Sequence, residues 1–329
     1  MLMLNIGKLK LKSNLILAPM AGISDLPFRL LNRGFGCELA FTEMINVRSL
    51  GYKMRKTQKM LSTDSKDKPL GIQIIGCEEE FILNAIDILS SYKYDILDFN
   101  AACPVKKVVR RGEGAGILKD PKKLHRLLKI IVQKSDKPVT VKIRTGWDKS
   151  SINAREIALL CQDAGVNAVF LHGRDREQGY SGDVDYKTIG KVKNTLDIPL
   201  IASGNIFSAS LAKKMLDETG CDGLLVARGA LGNPWIFKEI KEALNNKKII
   251  KKPVIDKIAD IMIEHLDSYI DFYDDSHGVR RFHKFFAWYT KGAPDVRTLR
   301  EKAFRAKTKQ GMMEIIETFR KLTNPDIIV

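Results

Sequence analysis

Eight short apolar, β-branched runs recur along the first 230 residues, separated by segments with helical spacing, and this rhythm constrains the chain more than any other feature. The runs lie near Leu15 to Met20, Leu39 to Met44, Leu70 to Gly76, Ile96 to Ala101, Val139 to Arg144, Ala168 to Gly173, Pro199 to Gly204 and Gly223 to Arg228. Strands that alternate with helices build a parallel sheet. Intervening stretches such as PKKLHRLLKIIVQKS and SINAREIALLCQDAG carry apolar residues three and four apart, the pattern of amphipathic helices covering the outside. Eight such units predict an α/β fold, a (β/α)8 TIM barrel, rather than an open doubly wound sheet.

From about Asn245 the strands stop. The segments PVIDKIADIMIEHLDSYIDFY, HGVRRFHKFFAWYT, DVRTLREKAFRAKTKQ and MMEIIETFRKL read as helices, and Ile258, Met262, Leu266 and Ile270 form a stripe that must pack on something. The expected organisation is a catalytic barrel over residues 1–245 and a small all-helical C-terminal domain over 246–329, joined through the polar stretch NNKKIIKKP.

Enzymes on this barrel build their sites at the carboxyl ends of the strands, so the residues there decide what it can do. Strand one ends in Pro19-Met20-Ala21-Gly22, two in Thr42-Glu43-Met44, three carries Gln73, and four ends in Asn100 with Cys103-Pro104 just beyond. Five carries Lys142 and Arg144, six His172 and Arg174, seven ends in Ser203-Gly204-Asn205 and eight in Ala227-Arg228-Gly229. Every strand delivers a polar or backbone-exposing group. A thiol on a short loop past a buried strand, as at Cys103, can reach a ligand lying across the strand ends; the alternative is a small buried Cys packed as an apolar residue.

The five cysteines, Cys37, Cys77, Cys103, Cys161 and Cys221, are scattered and form no CxxC pair, so neither a disulfide framework nor a metal site is expected. No apolar run is long enough for a signal segment or a membrane span, which predicts a cytoplasmic protein without a membrane partner. The 55 Lys and Arg against 39 Asp and Glu leave a net charge of +16. Between Arg280 and Lys321 stand twelve basic and four acidic residues, half of the whole surplus. A field of this kind attracts phosphate-rich partners.

Gly204 with Asn205 and Arg228 with Gly229 match the phosphate cup formed after the seventh and eighth strands of this fold, where backbone amides and one guanidinium receive a phosphate. A phosphate at one rim and polar groups across the mouth suit a flat cofactor, FMN, with Gln73 at the pyrimidine edge of its ring and Lys142 opposite charge developing near N1 and the C2 carbonyl. The glycines of RRGEGAGIL lack the strand-turn-helix context of a dinucleotide fingerprint, so NADPH or NADH enters only as a transient reductant.

Across nearly its whole length the sequence resembles the tRNA-dihydrouridine synthases, in particular the bacterial B subfamily. LAPMAGISDLPFR, TEM, QIIG, the Asn and Cys-Pro of DFNAACPVKK, VKIRTGWD, LHGRDREQGYSG, ARGALGNPWIF and WYTKG carry the resemblance. It implies FMN-dependent reduction of the C5=C6 bond of a uridine in tRNA, with hydride passing from flavin N5 to C6 and a proton from Cys103 to C5. By motif matching it implies FMN contacts at Pro19, Met20, Ala21, Gln73, Lys142, Ser203, Gly204, Asn205, Ala227 and Arg228, with His172 lining the site. Asn100 is expected to orient the uracil, and Arg174, Arg176 and Tyr180 to meet substrate phosphate or base, surface solvation being the equal alternative for each arginine. The tRNA backbone is expected to meet Lys106, Lys107, Arg110 and Arg111 near the mouth and Arg281, Lys284, Lys291, Arg297, Arg300 and Arg305 on the helices, whereas Trp288 and Tyr289 belong in the helical core.

Two departures stand out. Strand seven ends Ser203-Gly204-Asn205-Ile206 where the family has Asn-Gly-Asp-Ile, and His283, Lys284 and Phe285 stand where it has Arg-Lys-His. Two rival readings remain: a dihydroorotate dehydrogenase-like FMN barrel, which leaves the basic tail unexplained, and a noncatalytic tRNA-binding protein, which leaves Cys103, Gln73 and Lys142 unexplained. A monomer is expected.

Overall fold

The computed structural model describes residues 3–52, 54–245 and 253–322. Two strands that the periodicity did not suggest come first: β1 (Leu4–Ile6) and β2 (Leu9–Leu11) pair antiparallel around Gly7, which sits at φ 55, the left-handed backbone a two-residue hairpin turn requires. The barrel strands follow. They are β3 (Leu15–Leu17), β4 (Leu39–Phe41), β6 (Leu70–Ile75), β7 (Ile96–Asn100), β8 (Val139–Arg144), β9 (Ala168–His172), β10 (Leu200–Ser203) and β11 (Gly223–Val226), with a short β5 (Ile45–Asn46) continuing the second one along β6. All the neighbours in the ring pair in parallel, and β4 pairs with both β3 and β6, so the ring is closed. All eight expected strands are present; β8 spans its whole run, and the other seven are shorter because the run continues into the turn that carries the polar residues.

Two apolar clusters explain the closure. Ile16, Leu39, Phe41, Ile96, Phe170, Ile201 and Leu225 fill the inside of the ring, and Leu4, Ile6 and Leu11 of the β1–β2 hairpin plug it. The outward faces of the strands meet the stripes of the covering helices, such as Leu124, Leu127, Leu128 and Ile131 of the helix Pro121–Lys134.

Beyond the barrel, helices Ile255–Tyr273, Asp275–Tyr289, Arg297–Arg305 and Lys309–Arg320 pack together. The stretch expected as one helix from Asp295 to Gln310 is broken at Ala306, because Thr308 takes an extended backbone and caps the next helix by accepting from Gly311 N. The boundary expected between 245 and 246 falls at the edge of a segment, 246–252, that lies outside the described residues.

The helices do not stand apart from the barrel. Phe28, on the helix Leu26–Gly34 that follows β3, stacks on Phe285 with ring centroids 5.5 Å apart. Around that contact Tyr269, Phe282, Phe286 and Tyr289 are all buried, so the core is continuous across the junction; each buried Phe contributes about 1.5–3 kcal/mol. Asp25 adds a polar tie: it caps the Leu26–Gly34 helix at Phe28 N and accepts the hydroxyls of Tyr269 at 2.8 Å and Tyr273 at 2.9 Å. Tyr289 is core, as expected, and Trp288 is half-buried against Phe285.

Candidate active site

Parallel strands put all their carboxyl ends on one rim, and there a cavity of about 370 Å³ opens. Register decides which side chains are neighbours. Asn100 of β7 lies beside Lys142 of β8, while Arg144 of β8, His172 of β9 and Ser203 of β10 form one continuous row. Pro19, Met20 and Ala21 close the wall after β3, Gln73 enters from β6, and Cys103 comes from the loop after β7. Ser203, Gly204 and Asn205, with Ala227 and Arg228, complete the far side, and Tyr180 stands at the mouth. One cavity therefore gathers all the FMN contacts the sequence suggested, together with Asn100, Cys103, His172 and Tyr180.

The far side is built as an anion seat. Gly204 has φ 139, and a Cβ there would come within 2.8 Å of Val184. At Gly229 a Cβ would overlap the Ile206 carbonyl oxygen, so the turns after β10 and β11 touch only because this residue is glycine. Asn205, itself left-handed at φ 50, accepts from Arg174 Nη2 at 2.9 Å and Arg228 Nη2 at 3.4 Å. Two guanidiniums thus share one neutral amide oxygen, and Arg174 Nη1 and His172 Nε2 are buried with no partner among the described residues. A buried donor left unpaired is costly, and a phosphate at the rim satisfies both the charge and the open amides. The residues present fit an FMN-type ligand.

Charge in the cavity is shaped by burial. His172 is held well below its usual range by desolvation and then by Lys142, Arg144, Arg174 and Arg228, so it is neutral at pH 7; its Nδ1 lies 3.1 Å from Ser203 Oγ. Burial, reinforced by Arg144 and opposed by Asp98, brings the Lys142 ammonium down to about 8. The Cys103 thiol is pushed up by burial, against the pull of Arg144 and Lys142, which keeps it protonated at neutral pH. Its loop is held at both ends of the residue: the N–H donates to Asn100 Oδ1 at 2.9 Å and the carbonyl accepts from Ala115 N at 3.0 Å.

Several expected contacts sit elsewhere. Arg174 is neither solvated nor open to substrate; it is 1% exposed and braces its own loop through the carbonyls of Ser181 and Gly182 as well as Asn205. Arg176 stacks on Trp147 with its guanidinium carbon 4.5 Å from the ring centre. Lys284, expected on tRNA, donates to the Gly22 carbonyl and so ties the helices to the loop carrying Met20 and Ala21; Arg300 likewise donates to Thr290. Lys106 and Lys107 are exposed beside the Cys103 loop, and Lys291 and Arg297 are exposed on the helical side, with Arg297 3.4 Å from Glu301. Asn100, expected to orient a base, spends its amide on protein: Nδ2 donates to Gln73 Oε1 at 2.7 Å and Oδ1 accepts from Ala102 and Cys103. Tyr180 is 57% exposed and flanked by Arg144 and Arg228, whose guanidinium carbons lie 5.4 and 5.3 Å from its ring centre.

Sequence reasoning gave no site role to Arg144, which lines the cavity and reaches the carbonyls of Ala102, Asp175 and Gly179, or to Asp98, buried beneath Gln73. Asp98 carried a signal: two residues before Asn100 on a strand, it shares that residue's inward face. Among the described residues no cluster of His, Cys, Asp and Glu is placed to hold a metal, and no helix is long and apolar enough to cross a membrane.

The sequence model of the dihydrouridine synthase family matches residues 16–324. The chain belongs to the dihydrouridine synthase family. Among its relatives, the tRNA-dihydrouridine synthase B of Pseudomonas putida is 37% identical over 302 residues, covering 92% of this chain and 88% of its own length. That of Pasteurella multocida is 36% identical over 305 residues, 93% of this chain and 92% of its own. A probable tRNA-dihydrouridine synthase of Rickettsia conorii is 37% identical over 294 residues, 89% of each. Solved structures share the barrel at much lower identity. Histamine dehydrogenase from Rhizobium sp. 4-9 superposes with a TM-score of 0.58 at 11% identity, over 81% of this chain and 50% of its own. An old yellow enzyme homologue from Zymomonas mobilis does so at 0.54 and 9%, over 77% of this chain and 94% of its own. These two likenesses are of fold alone, whereas membership of the family rests on the sequence relatives.

Proposed function

We propose that this dihydrouridine synthase family member is an FMN-dependent tRNA-dihydrouridine synthase, which reduces the C5=C6 bond of a uridine in tRNA at the expense of NADPH or NADH. The observation that carries the reading is a thiol, Cys103, on one wall of a cavity whose other walls offer an anion seat at Asn205 and Arg228 and a buried amine at Lys142. Bound there and reduced by NADPH or NADH, FMN would supply the hydride for C6 of the uracil.

The chain's own residues do the rest. Arg228 and the backbone amides around Gly204 would hold the phosphate end, with Arg174 bracing Asn205 from behind. Gln73 and Lys142 line the part of the cavity that would take the ring, where the Lys142 charge would favour the reduced form. Cys103 gives its proton to C5, and the thiolate left behind lies in the field of Lys142 and Arg144, both of which favour it. The neutral His172 lines the wall without competing for that proton. A uridine reaches this depth only by leaving its stack, at an energetic cost of a few kcal/mol. The basic surface beside the mouth and on the helices offsets that through phosphate contacts that weaken as salt rises. The barrel acts as the catalytic unit and the C-terminal helices as the tRNA-binding unit, in a cytoplasmic, monomeric enzyme.

Purified protein is expected to be yellow, to oxidise NADPH slowly, and to convert uridine in unmodified tRNA, read as a two-dalton mass gain in digested nucleosides. A colourless protein that takes up no FMN would sink the assignment, and conversion of free orotate or dihydroorotate without RNA would transfer it to the dehydrogenase reading.

A further inference from the structure

Beneath the cavity floor runs an unbroken chain of hydrogen bonds. Thr140 Oγ1 donates to Asp98 Oδ1 at 2.7 Å, and Gln73 Nε2 donates to Asp98 Oδ2 at 2.6 Å. Asn100 Nδ2 donates to Gln73 Oε1 at 2.7 Å, and Asn100 Oδ1 accepts from the backbone N–H of Cys103 at 2.9 Å and of Ala102 at 3.0 Å. Asp98, Gln73 and Thr140 are each no more than 1% exposed, and Asn100 6%.

The sense of such a chain is set at its ends. A side-chain amide is a donor at one end and an acceptor at the other, so each of the two amides in the middle reads equally well in either direction unless its neighbours forbid one. The backbone N–H groups of Ala102 and Cys103 only donate, and an ionised carboxylate only accepts. Between those two fixed ends, both amides have a single allowed orientation. Burial brings the Asp98 carboxyl up to about 6, while the hydrogen bonds from Gln73 and Thr140 and then the Lys142 ammonium favour ionisation, so at pH 7.5 it is an acceptor at both oxygens.

We propose that Asp98 is a positioning residue: through Gln73 and Asn100 it fixes the loop that presents the Cys103 thiol to the cavity. The role of that thiol as acid rests on the function proposed above; the positioning does not.

The variant that tests this is Asp98→Asn, which keeps size and neutralises the buried charge, so that the barrel is retained, yet offers a donor as readily as an acceptor. In the FMN-loaded protein at pH 7.5, iodoacetamide alkylation is followed residue by residue by mass spectrometry. Cys103 is expected to react severalfold faster in Asp98→Asn, because its loop samples more than one position, while Cys77, half-exposed and bonded to Arg111 O outside the chain, keeps its wild-type rate. With unmodified tRNA, kcat is expected to fall on the order of ten- to a hundredfold at unchanged KM, the scale of a misplaced reacting group. An unchanged Cys103 rate overturns the proposal, and so does a rise shared equally by Cys77, which means general loosening. Should Asp98→Asn not fold, Thr140→Val removes only the outermost donor and is expected to shift Cys103, and not Cys77, in the same direction by a smaller factor; no shift there overturns it. If Cys103→Ala turns over normally, the acid role is lost, while the alkylation result still decides the positioning.

Discussion

The barrel mouth and the C-terminal helices both carry surplus positive charge, and they hold it in opposite ways. At the mouth, Lys142, Arg144, Arg174 and Arg228 are buried or half-buried, share a few acceptors, and repel one another around His172. On the helices, Lys291 and Arg297 extend into solvent. Buried charges act at fixed geometry with large effects per residue, because low polarity leaves them unscreened. Exposed ones act additively and weakly, and they fade as salt rises. Substitutions in the cavity are therefore expected to act strongly one by one, and those on the helical face weakly. The sharpest difference belongs to Cys103→Ala: kcat is expected to fall by roughly 10²–10⁴-fold, the usual worth of a positioned acid, while FMN content and tRNA affinity stay at wild-type values. Normal turnover would erase the contrast.

Next in size is Gly229→Ala. Its Cβ overlaps the Ile206 carbonyl, a backbone atom that moves only with the whole turn after β10. Overpacking of this kind costs about 1–3 kcal/mol, and because the two turns form the anion seat the loss falls on the cofactor. The variant is expected to purify largely free of FMN and to need a markedly higher FMN concentration for half-saturation, measured by flavin fluorescence, with a modest drop in melting temperature. An exposed glycine of ordinary backbone, such as Gly34 with nothing near its Cβ, is the control: its change to Ala is expected to leave FMN binding untouched.

What could be read in the sequence follows the same division. Strand positions have a period of two and the barrel has one active rim, so polar residues at the ends of apolar runs, Gln73, Asn100, Lys142, His172 and Arg228, projected onto one cavity without knowledge of a single contact. Partnering could not be read that way. Arg174 and Arg176 stand two apart in GRDREQGY and look alike, yet one is buried bracing Gly182 and Asn205 while the other lies on Trp147, since each is decided by a loop that closes only in three dimensions. The bond from Lys284 to the Gly22 carbonyl could not be read for the same reason, its acceptor being 262 residues away. The hairpin of β1 and β2 was legible in principle from Gly7 between two apolar pairs, but three-residue strands leave almost no periodicity.

The junction between the two regions offers a test in pH. Asp25, 3% exposed under Tyr269 and Tyr273, has its carboxyl raised from 3.8 to about 6, by burial first and by Glu43 as well, against the hydroxyls of both tyrosines and Phe28 N. Arg281 at 4.0 Å and the Lys284 ammonium also face it. A raised folded pKa means that the native state holds this proton more tightly than the unfolded chain does. The resulting stability is complete below the unfolded value and is lost as pH rises through about 6. Between pH 5 and pH 7 this group alone removes about 1 kcal/mol. Asp25→Asn cannot ionise and keeps an oxygen for the helix cap. Its urea midpoint is expected to fall less than the wild type's over that interval, with the contribution of Asp98 common to both. Parallel curves would show that Asp25 titrates normally and that the junction is wet.

The smallest effect is expected on the helical face. Arg297 is 94% exposed at its side chain, and its ion pair with Glu301 one helical turn away is of the screened surface kind worth about a few tenths of a kcal/mol. Replacing it by Ala leaves stability within error and removes at most one phosphate contact. Affinity for tRNA is therefore expected to drop only a few-fold at low salt. The plot of log Kd against log salt should lose a slope of roughly 0.7–0.9, with kcat at saturating tRNA untouched. The double variant with Lys291→Ala should lose about twice that slope if the two residues act independently, because screened contacts on an open face do not share partners. A fall in kcat instead would place Arg297 in the reaction rather than in docking, and the division between the two regions would have to be redrawn through the helices rather than at the barrel rim.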